Sequence, residues 1–125
     1  MAALDLIADW PVANAAAAVV TPSGVLARYG EQSRAFRLAS VTKPLVARAA
    51  QVAVEEGVVD LDTPAGPEGS TVRHLLSHAS GLSMQSPDVQ ARPGARRIYS
   101  NYGFQVLAET IEAQSGIEFG RYLAE

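Results

Sequence analysis

The chain has 125 residues, of which 48% are hydrophobic and 18% are charged, and its formal net charge is −3. These values are typical of a soluble globular protein, and the lack of a basic excess argues against nucleic acid as a partner. Cysteine does not occur, which excludes disulfides and thiolate metal sites.

The N-terminal segment and the apolar stretches do not indicate a membrane protein. The longest apolar stretch, residues 15–20, is far too short to span a bilayer. The first ten residues contain two acids and no basic region of the kind that begins a secretory signal. We therefore expect no membrane contact and a cytoplasmic location.

The first third of the chain is predicted to form a short helix and a β-hairpin. Residues 3–9 have the pattern of a short amphipathic helix. Residues 15–21 are typical of a buried strand, and residues 25–29 are typical of a second strand. Thr21-Pro22-Ser23-Gly24, which joins them, has proline and glycine at positions that turns favour.

Helices dominate the rest of the predicted structure, and residues 83–98 are expected to be irregular. Ser40 is expected to cap the first long helix, and Gly57 is suited to end it. Ser70 or Thr71 is expected to cap a short helix that follows. The predicted helices span about 41–56, 71–77, 102–114 and 118 onward. The predicted buried face of the first consists of Leu45, Ala49, Val52 and Ala53.

Two strands are too few for an independent sheet, which needs further strands or helices packed on it. The final residues, 120–125, favour a helix and contain no stop signal. We therefore expect residues 1–125 to be an incomplete single domain and part of a larger fold, without an internal domain boundary.

Lys43 is the only lysine among ten basic residues, and it follows Ser40 by three positions. At the start of a helix this spacing places both side chains on the same side. Lysine can act as a base after losing its proton, whereas arginine effectively cannot. The pair therefore provides the two groups that an activated serine nucleophile needs at minimum, a hydroxyl and a nearby base. The alternative is that Ser40 is a helix cap and Lys43 a surface residue. The single lysine would then reflect a genome whose composition favours arginine codons.

Tyr99 and Asn101 precede the second long helix and form another candidate site. A phenol near a cation can ionise and act as a general base, or pass a proton to a leaving group. The amide of Asn101 can hold a substrate carbonyl or orient Lys43. In the alternative interpretation, Asn101 caps the helix and Tyr99 is a half-buried aromatic residue.

His74 and His78 are four residues apart, but the sequence places no third ligand for a zinc ion near them. We expect no metal, and we expect these histidines to hold a turn together by hydrogen bonds. The small basic cluster of Arg92, Arg96 and Arg97 is expected to be solvated.

Four segments, taken in order, carry a family resemblance. They are Ser40-Val-Thr-Lys43-Pro44, Gly57-Val-Val-Asp60-Leu61-Asp62-Thr-Pro64, His74-Leu-Leu-Ser-His78-Ala-Ser-Gly81-Leu82, and Tyr99-Ser-Asn101 with Tyr102-Gly103-Phe104. Together they resemble the serine β-lactamase-like superfamily, and most closely class C β-lactamases, D-alanyl-D-alanine carboxypeptidases and family VIII esterases. The resemblance extends roughly over residues 12–125.

The resemblance implies an α/β fold, of which this chain would be the N-terminal portion: a β-hairpin and a helical region without the C-terminal sheet strands. Ser40 would be the acylated nucleophile, Lys43 and Tyr99 the acid–base network, and Asn101 a substrate-binding residue. Neither a metal nor a cofactor would be needed. Family members carry a third motif, Lys-Thr-Gly or a variant with histidine, on a C-terminal strand, and no segment here matches it.

The expected function is therefore hydrolysis of a small ester or amide, and the missing secretory signal favours an esterase. We expect residues 1–125 alone to be weakly active or inactive, and a C-terminal segment or a second chain to complete the fold. One alternative is a penicillin-recognising β-lactamase or D-alanyl-D-alanine carboxypeptidase. Another is a non-catalytic binding or assembly module that pairs through the exposed edge of its hairpin.

Overall fold

The computed structural model describes residues 2–125, and the chain divides into two compact units after Arg37. The first unit contains α1 (Ala2–Asp5), a 3-10 helix (Leu6–Asp9), β1 (Ala17–Thr21) and β2 (Gly24–Tyr29). The second unit contains a 3-10 helix (Ala39–Val41), α2 (Thr42–Glu55), α3 (Val72–Leu76), α4 (Asn101–Ser115) and α5 (Phe119–Ala124).

The first unit confirms the predicted short helix and β-hairpin. β1 and β2 pair in antiparallel fashion, and an irregularity between Val19 and Val20 shifts their register. Burial alternates along β1, and 66% of Val20 is exposed, so the prediction of a buried strand is wrong. The physical reason is that successive side chains of a strand point to opposite faces, and one face of β1 is left uncovered.

Helices α2, α3 and α4 build the hydrophobic core of the second unit. α4 packs against both α2 and α3, and α5 packs against α2 and α4. Leu75, Leu107 and Ile111 are at most 1% exposed and form the centre of this core. The other buried core residues are Val46, Ala50, Ala53, Val59, Ala65, Val72, Leu82 and Phe104.

The helix ends lie within about two residues of their predicted positions, a usual uncertainty for helix boundaries. Thr71 is the N-cap of α3, as expected, and its N–H donates a hydrogen bond to His74 Nδ1 at 3.1 Å. α4 ends at Gly116, whose φ of 71° is the left-handed conformation that glycine adopts without strain. None of the helices within residues 2–125 has both the length and the apolar character needed to cross a membrane.

The prediction that Ser40 caps α2 is wrong. The 3-10 helix leads directly into α2, whose N-cap is Val41, and no side chain donates or accepts a capping hydrogen bond there. Because the first turn of α2 continues from a preceding helical turn, it does not need a serine cap. The Ser40 hydroxyl is therefore left for other partners.

Candidate active site

The four residues predicted to carry chemistry lie together at the N-terminal ends of α2 and α4. Ser40 lies in the 3-10 helix before α2, and Lys43 lies in the first turn of α2. Tyr99 directly precedes the cap of α4, and Asn101 is the first residue of that helix. The fold brings the two pairs into contact, because the Tyr99 hydroxyl donates a 2.8 Å hydrogen bond to Ser40 Oγ.

Lys43 contacts each of the other three residues. Its Nζ donates to Asn101 Oδ1 at 2.5 Å and makes a longer 3.4 Å hydrogen bond to Ser40 Oγ. The same Nζ lies 4.7 Å from the centre of the Tyr99 ring and 5.8 Å from the centre of the Phe104 ring. Both distances are within the range of cation–π contacts. The predicted meeting of Ser40 and Lys43 across one helical turn is thus observed.

The electrostatics of the site favour the ionised form of Tyr99. Hydrogen bonding with Lys43 is the largest cause that lowers the pKa of the Tyr99 phenol from its usual 10.0, and the hydrogen bond with Ser40 is the second. The positive charges of Lys43 and Arg97 act in the same direction, and partial desolvation opposes them. A phenolate in hydrogen-bond reach of a serine hydroxyl can accept its proton.

Buried polar contacts fix the segment that carries Tyr99 and Asn101. Ser100 is 1% exposed, and its hydroxyl donates to the Ser83 carbonyl at 2.6 Å and accepts the Gly103 N–H at 2.8 Å. This makes Ser100, and not Asn101, the cap of α4. The two site residues therefore stand on either side of one anchored serine.

The backbone before Ser40 has an unusual conformation. Ala39 has a φ of 47°, in the left-handed region that costs a residue with a Cβ roughly 1–2 kcal/mol. Ala39 begins the short 3-10 helix, in which the Ser40 side chain remains exposed. An accessible hydroxyl next to a strained residue is consistent with a nucleophile, because backbone strain concentrates at functional sites.

The two histidines do not converge on one ligand position. His74 Nδ1 accepts a hydrogen bond from the Thr71 N–H, whereas His78 Nδ1 accepts one from the Ser100 N–H at 3.1 Å. Within residues 2–125, no group of three or more His, Cys, Asp or Glu residues is placed to hold a metal ion. Burial is the largest cause that lowers the pKa of His78 from its usual 6.5, and the charges of Arg97 and Lys43 add to it.

The sequence places Phe104 in the family resemblance but does not indicate that its ring lies near both Lys43 and His78. Its spacing of three residues from Asn101 is a signal for this position, because residues three apart share a helix face. Arg97 is exposed, as expected for the basic cluster, but the sequence does not indicate that its charge acts on Tyr99.

Comparison with known proteins relates this chain to one family. A family model described as Beta-lactamase matches residues 9–125. The crystal structure of a beta-lactamase from Mycobacterium bovis has a TM-score of 0.89 and 70% sequence identity, and the match covers 98% of this chain and 45% of that one. This agreement confirms the predicted α/β fold class, with its β-hairpin and helical region.

Two penicillin-binding proteins are more distant relatives. The crystal structure of one from Bacillus halodurans has a TM-score of 0.60 and 26% identity, and the match covers 66% of this chain and 35% of that one. Penicillin-binding protein 4* of Bacillus subtilis is 29% identical over an alignment of 125 positions including gaps, which covers 70% of this chain and 27% of the relative. The chain thus spans less than half the length of each of these three relatives.

Proposed function

This chain belongs to the Beta-lactamase family, and from that premise we propose that it acts as a serine hydrolase through an acyl-enzyme on Ser40. The observation that carries the proposal is the position of the Tyr99 hydroxyl, 2.8 Å from Ser40 Oγ. A serine nucleophile needs a base in hydrogen-bond reach, held by a third group. Lys43 is that third group, because it contacts both the tyrosine ring and the serine hydroxyl.

In the proposed acylation, the Tyr99 phenolate takes the proton of the Ser40 hydroxyl while Ser40 Oγ bonds to the substrate carbonyl carbon. The bond between this carbon and the leaving nitrogen or oxygen breaks, and Tyr99 gives the proton to the leaving group. In deacylation, Tyr99 takes a proton from water while the water oxygen bonds to the acyl carbon. The bond between this carbon and Ser40 Oγ then breaks, and Tyr99 returns the proton to Oγ. The Lys43 ammonium stabilises the phenolate between these transfers.

Asn101 has two proposed tasks, one for each end of its amide. Its oxygen accepts the hydrogen bond from Lys43 and so holds the ammonium near Tyr99. Its NH₂ group makes no hydrogen bond to the part of the chain that the structure describes. We assign this group to binding a carbonyl oxygen of the substrate, since an amide NH₂ can donate two hydrogen bonds.

The first candidate substrate is a β-lactam. The observation that favours it is the 70% identity to a protein described as a beta-lactamase, together with the likeness to two penicillin-binding proteins. A β-lactam presents a cyclic amide whose opening by Ser40 would leave an acyl group on the protein. A D-alanyl-D-alanine peptide would form the same kind of intermediate with a terminal amino acid as the leaving group.

The second candidate substrate is a small ester, and the exposure of Ser40 favours it. An exposed hydroxyl can reach a small activated ester without a deep pocket. An alkoxide or phenoxide leaving group also depends less on proton donation by Tyr99 than an amine does, because it leaves more readily without a proton.

The test is intact-protein mass spectrometry after exposure to penicillin or to p-nitrophenyl acetate. We expect one acyl adduct per chain, at Ser40, and its loss in Ser40→Ala. Ser77→Ala is the matched control, because the Ser77 hydroxyl is exposed and, among residues 2–125, donates hydrogen bonds only to the carbonyls of Arg73 and His74. An adduct that persists in Ser40→Ala would contradict the proposal. If neither reagent formed an adduct, the non-catalytic binding or assembly module would be the better interpretation.

We also propose that residues 1–125 acylate slowly by themselves, and that a further segment or chain completes the site. This proposal is supported by the lengths of the two proteins, since the matched beta-lactamase is more than twice as long as this chain. Adduct formation followed over time gives the acylation rate of residues 1–125. A rate equal to that of the Mycobacterium bovis protein under the same conditions would contradict this proposal.

A further inference from the structure

His78 is buried beside Tyr99, although no step proposed above uses it. Its carbonyl accepts the Ile98 N–H at 2.8 Å, and its Nδ1 accepts the Ser100 N–H at 3.1 Å. The imidazole also lies against the Tyr99 ring, with 4.6 Å between the ring centroids and 33° between the planes. One residue therefore fixes the chain on both sides of Tyr99 and contacts its side chain.

The imidazole packs on Phe104 as well, with 5.0 Å between the ring centroids. Phe104 is the aromatic residue above which the Lys43 ammonium also lies. His78 thus belongs to the packing that sets both Tyr99 and Lys43. Its own backbone has a φ of 59°, a left-handed conformation in which histidine, asparagine and aspartate are several-fold enriched among residues other than glycine.

We propose that His78 is a positioning residue: its neutral imidazole, bonded to the Ser100 N–H and packed on the Tyr99 ring, sets the Tyr99 phenol against Ser40. This inference rests on the proposed function, because it assigns His78 a role in the acylation of Ser40. An imidazole that accepts at Nδ1 carries its proton on Nε2. The structure therefore assigns one tautomer to His78.

Protonation of His78 would break this arrangement. It would place an N–H at Nδ1, facing the Ser100 N–H, so two donors would oppose each other. The charged groups that act on His78 are Lys43 on α2 and Arg97 on the segment before α4, and both disfavour a second positive charge. Acylation should consequently fall below the usual histidine pKa of 6.5, in addition to the fall that protonation of the neighbouring Tyr99 phenolate causes.

Two substitutions separate the roles of the imidazole. His78→Asn keeps an acceptor at the position of Nδ1 and suits the left-handed backbone, but cannot titrate. His78→Phe keeps a ring against Tyr99, but leaves the Ser100 N–H unpartnered. We expect His78→Phe to lower the acylation rate of Ser40 roughly 100-fold, the effect of a displacement of about 1 Å. His78→Asn should retain the rate within about fivefold and lose the acid limb that the histidine causes.

His74→Asn is the matched control. It is the same change four residues earlier, in a histidine that bonds to Thr71 and not to the Tyr99 segment. It should leave both the rate and the acid limb as they are in the unaltered chain. The proposal would be overturned if His78→Asn and His78→Phe lowered the acylation rate of Ser40 equally, or if neither lowered it. An unaltered acid limb in His78→Asn would also overturn it.

Nitrogen-15 NMR of the unaltered chain tests the same role without activity. We expect neutral His78 to be the Nε2–H tautomer, and the Ser100 amide signal to move with the titration of the His78 ring. An Nδ1–H tautomer, or a Ser100 signal that does not follow the ring, would overturn the proposal. If Ser40 is not acylated at all, the proposed function fails, and these signals still decide whether the His78 imidazole holds the Ser100 N–H beside Tyr99. They also decide this contact if His78→Phe does not fold.

Discussion

At the scale of single residues, the environment of Lys43 explains how one cation can serve the whole site. Its hydrogen-bond acceptors are the neutral oxygens of Asn101 and Ser40. Among the residues that the structure describes, no carboxylate forms a salt bridge with it. Its charge is therefore not cancelled by an anion, and it acts on the phenol of Tyr99, whose ring lies 4.7 Å away.

This arrangement predicts which of Tyr99 and Tyr122 titrates first. Lys43 stabilises the phenolate of Tyr99 and lowers its pKa, so Tyr99 should ionise before Tyr122. Lys43→Met removes the positive charge and keeps an unbranched side chain, so the pKa of Tyr99 should rise toward its usual 10.0. The measurement is an NMR titration of the tyrosine ring signals, or ultraviolet absorbance of the phenolates. A Tyr99 titration that Lys43→Met leaves in place would contradict the assigned role of the lysine.

Tyr122 provides the internal control in the same experiment. Its hydroxyl donates to Glu56 Oε2 at 2.6 Å, and desolvation together with this carboxylate raises the pKa of Tyr122 to about 12. An anion beside a phenol disfavours the phenolate, which is the opposite of the effect of Lys43 on Tyr99. Tyr122 should therefore titrate after Tyr99, and Lys43→Met should not move the pKa of Tyr122.

At the scale of the elements, the start of α4 depends on one buried serine. The Ser100 hydroxyl satisfies the Gly103 N–H and the Ser83 carbonyl at once. The residue that begins the helix thereby also ties it to the loop at Ser83. Its neighbours on both sides, Tyr99 and Asn101, are site residues, so the stability of this helix start and the geometry of the site have a common origin.

Ser100→Ala should destabilise the protein by about 2–4 kcal/mol. The loss of an N-cap costs about 1 kcal/mol, and a buried group left without its partner costs about 1–3 kcal/mol. The free energy of unfolding in urea gives this difference. Ser77→Ala makes the same chemical change at an exposed hydroxyl, and should stay within about 0.5 kcal/mol of the unaltered protein. Equal effects of the two substitutions would show that the buried contacts of Ser100 do not stabilise α4.

The sequence predicted the elements better than the faces that they bury. Glycine and capping residues mark helix ends through local backbone chemistry, and Gly57 and Thr71 were accordingly found in their predicted roles. The face of α2 was predicted in part: Ala49 and Ala53 are buried, but Leu45 is 45% exposed and Val46 is buried. Neighbouring apolar residues make both faces plausible, and only the packing of α4 and α5 on α2 decides between them.

The sequence named the residues of the candidate site but not the contacts that they make in the fold. The spacing of Ser40 and Lys43 is local, so a helix suffices to bring them together. The contact between Ser40 and Tyr99 joins residues 59 positions apart, and no local pattern contains it. The roles of Ser100 and His78 likewise depend on burial, which is a property of the folded chain.

At the scale of the whole molecule, the apolar residues are distributed unevenly. The core cluster of buried residues runs from Val46 to Ile111, so all of it belongs to the unit that follows Arg37. In the first unit, Leu6, Val20 and Leu26 each expose more than half of their surface. Because burial of apolar surface is the main stabilising contribution, the stability of residues 38–125 should be sensitive to single core substitutions.

A matched pair of leucines tests this distribution. Leu107 is 0% exposed and lies in the core that α4 helps to build, whereas Leu6 is 66% exposed. Leu107→Ala removes buried methyl groups and leaves a cavity, so it should lower the free energy of unfolding by about 2–5 kcal/mol. Leu6→Ala makes the same chemical change where little surface is buried, and should cost less than about 0.5 kcal/mol. Urea unfolding of both variants measures the two costs. A cost for Leu6→Ala as large as that for Leu107→Ala would contradict this distribution, because it would require Leu6 to be buried in solution.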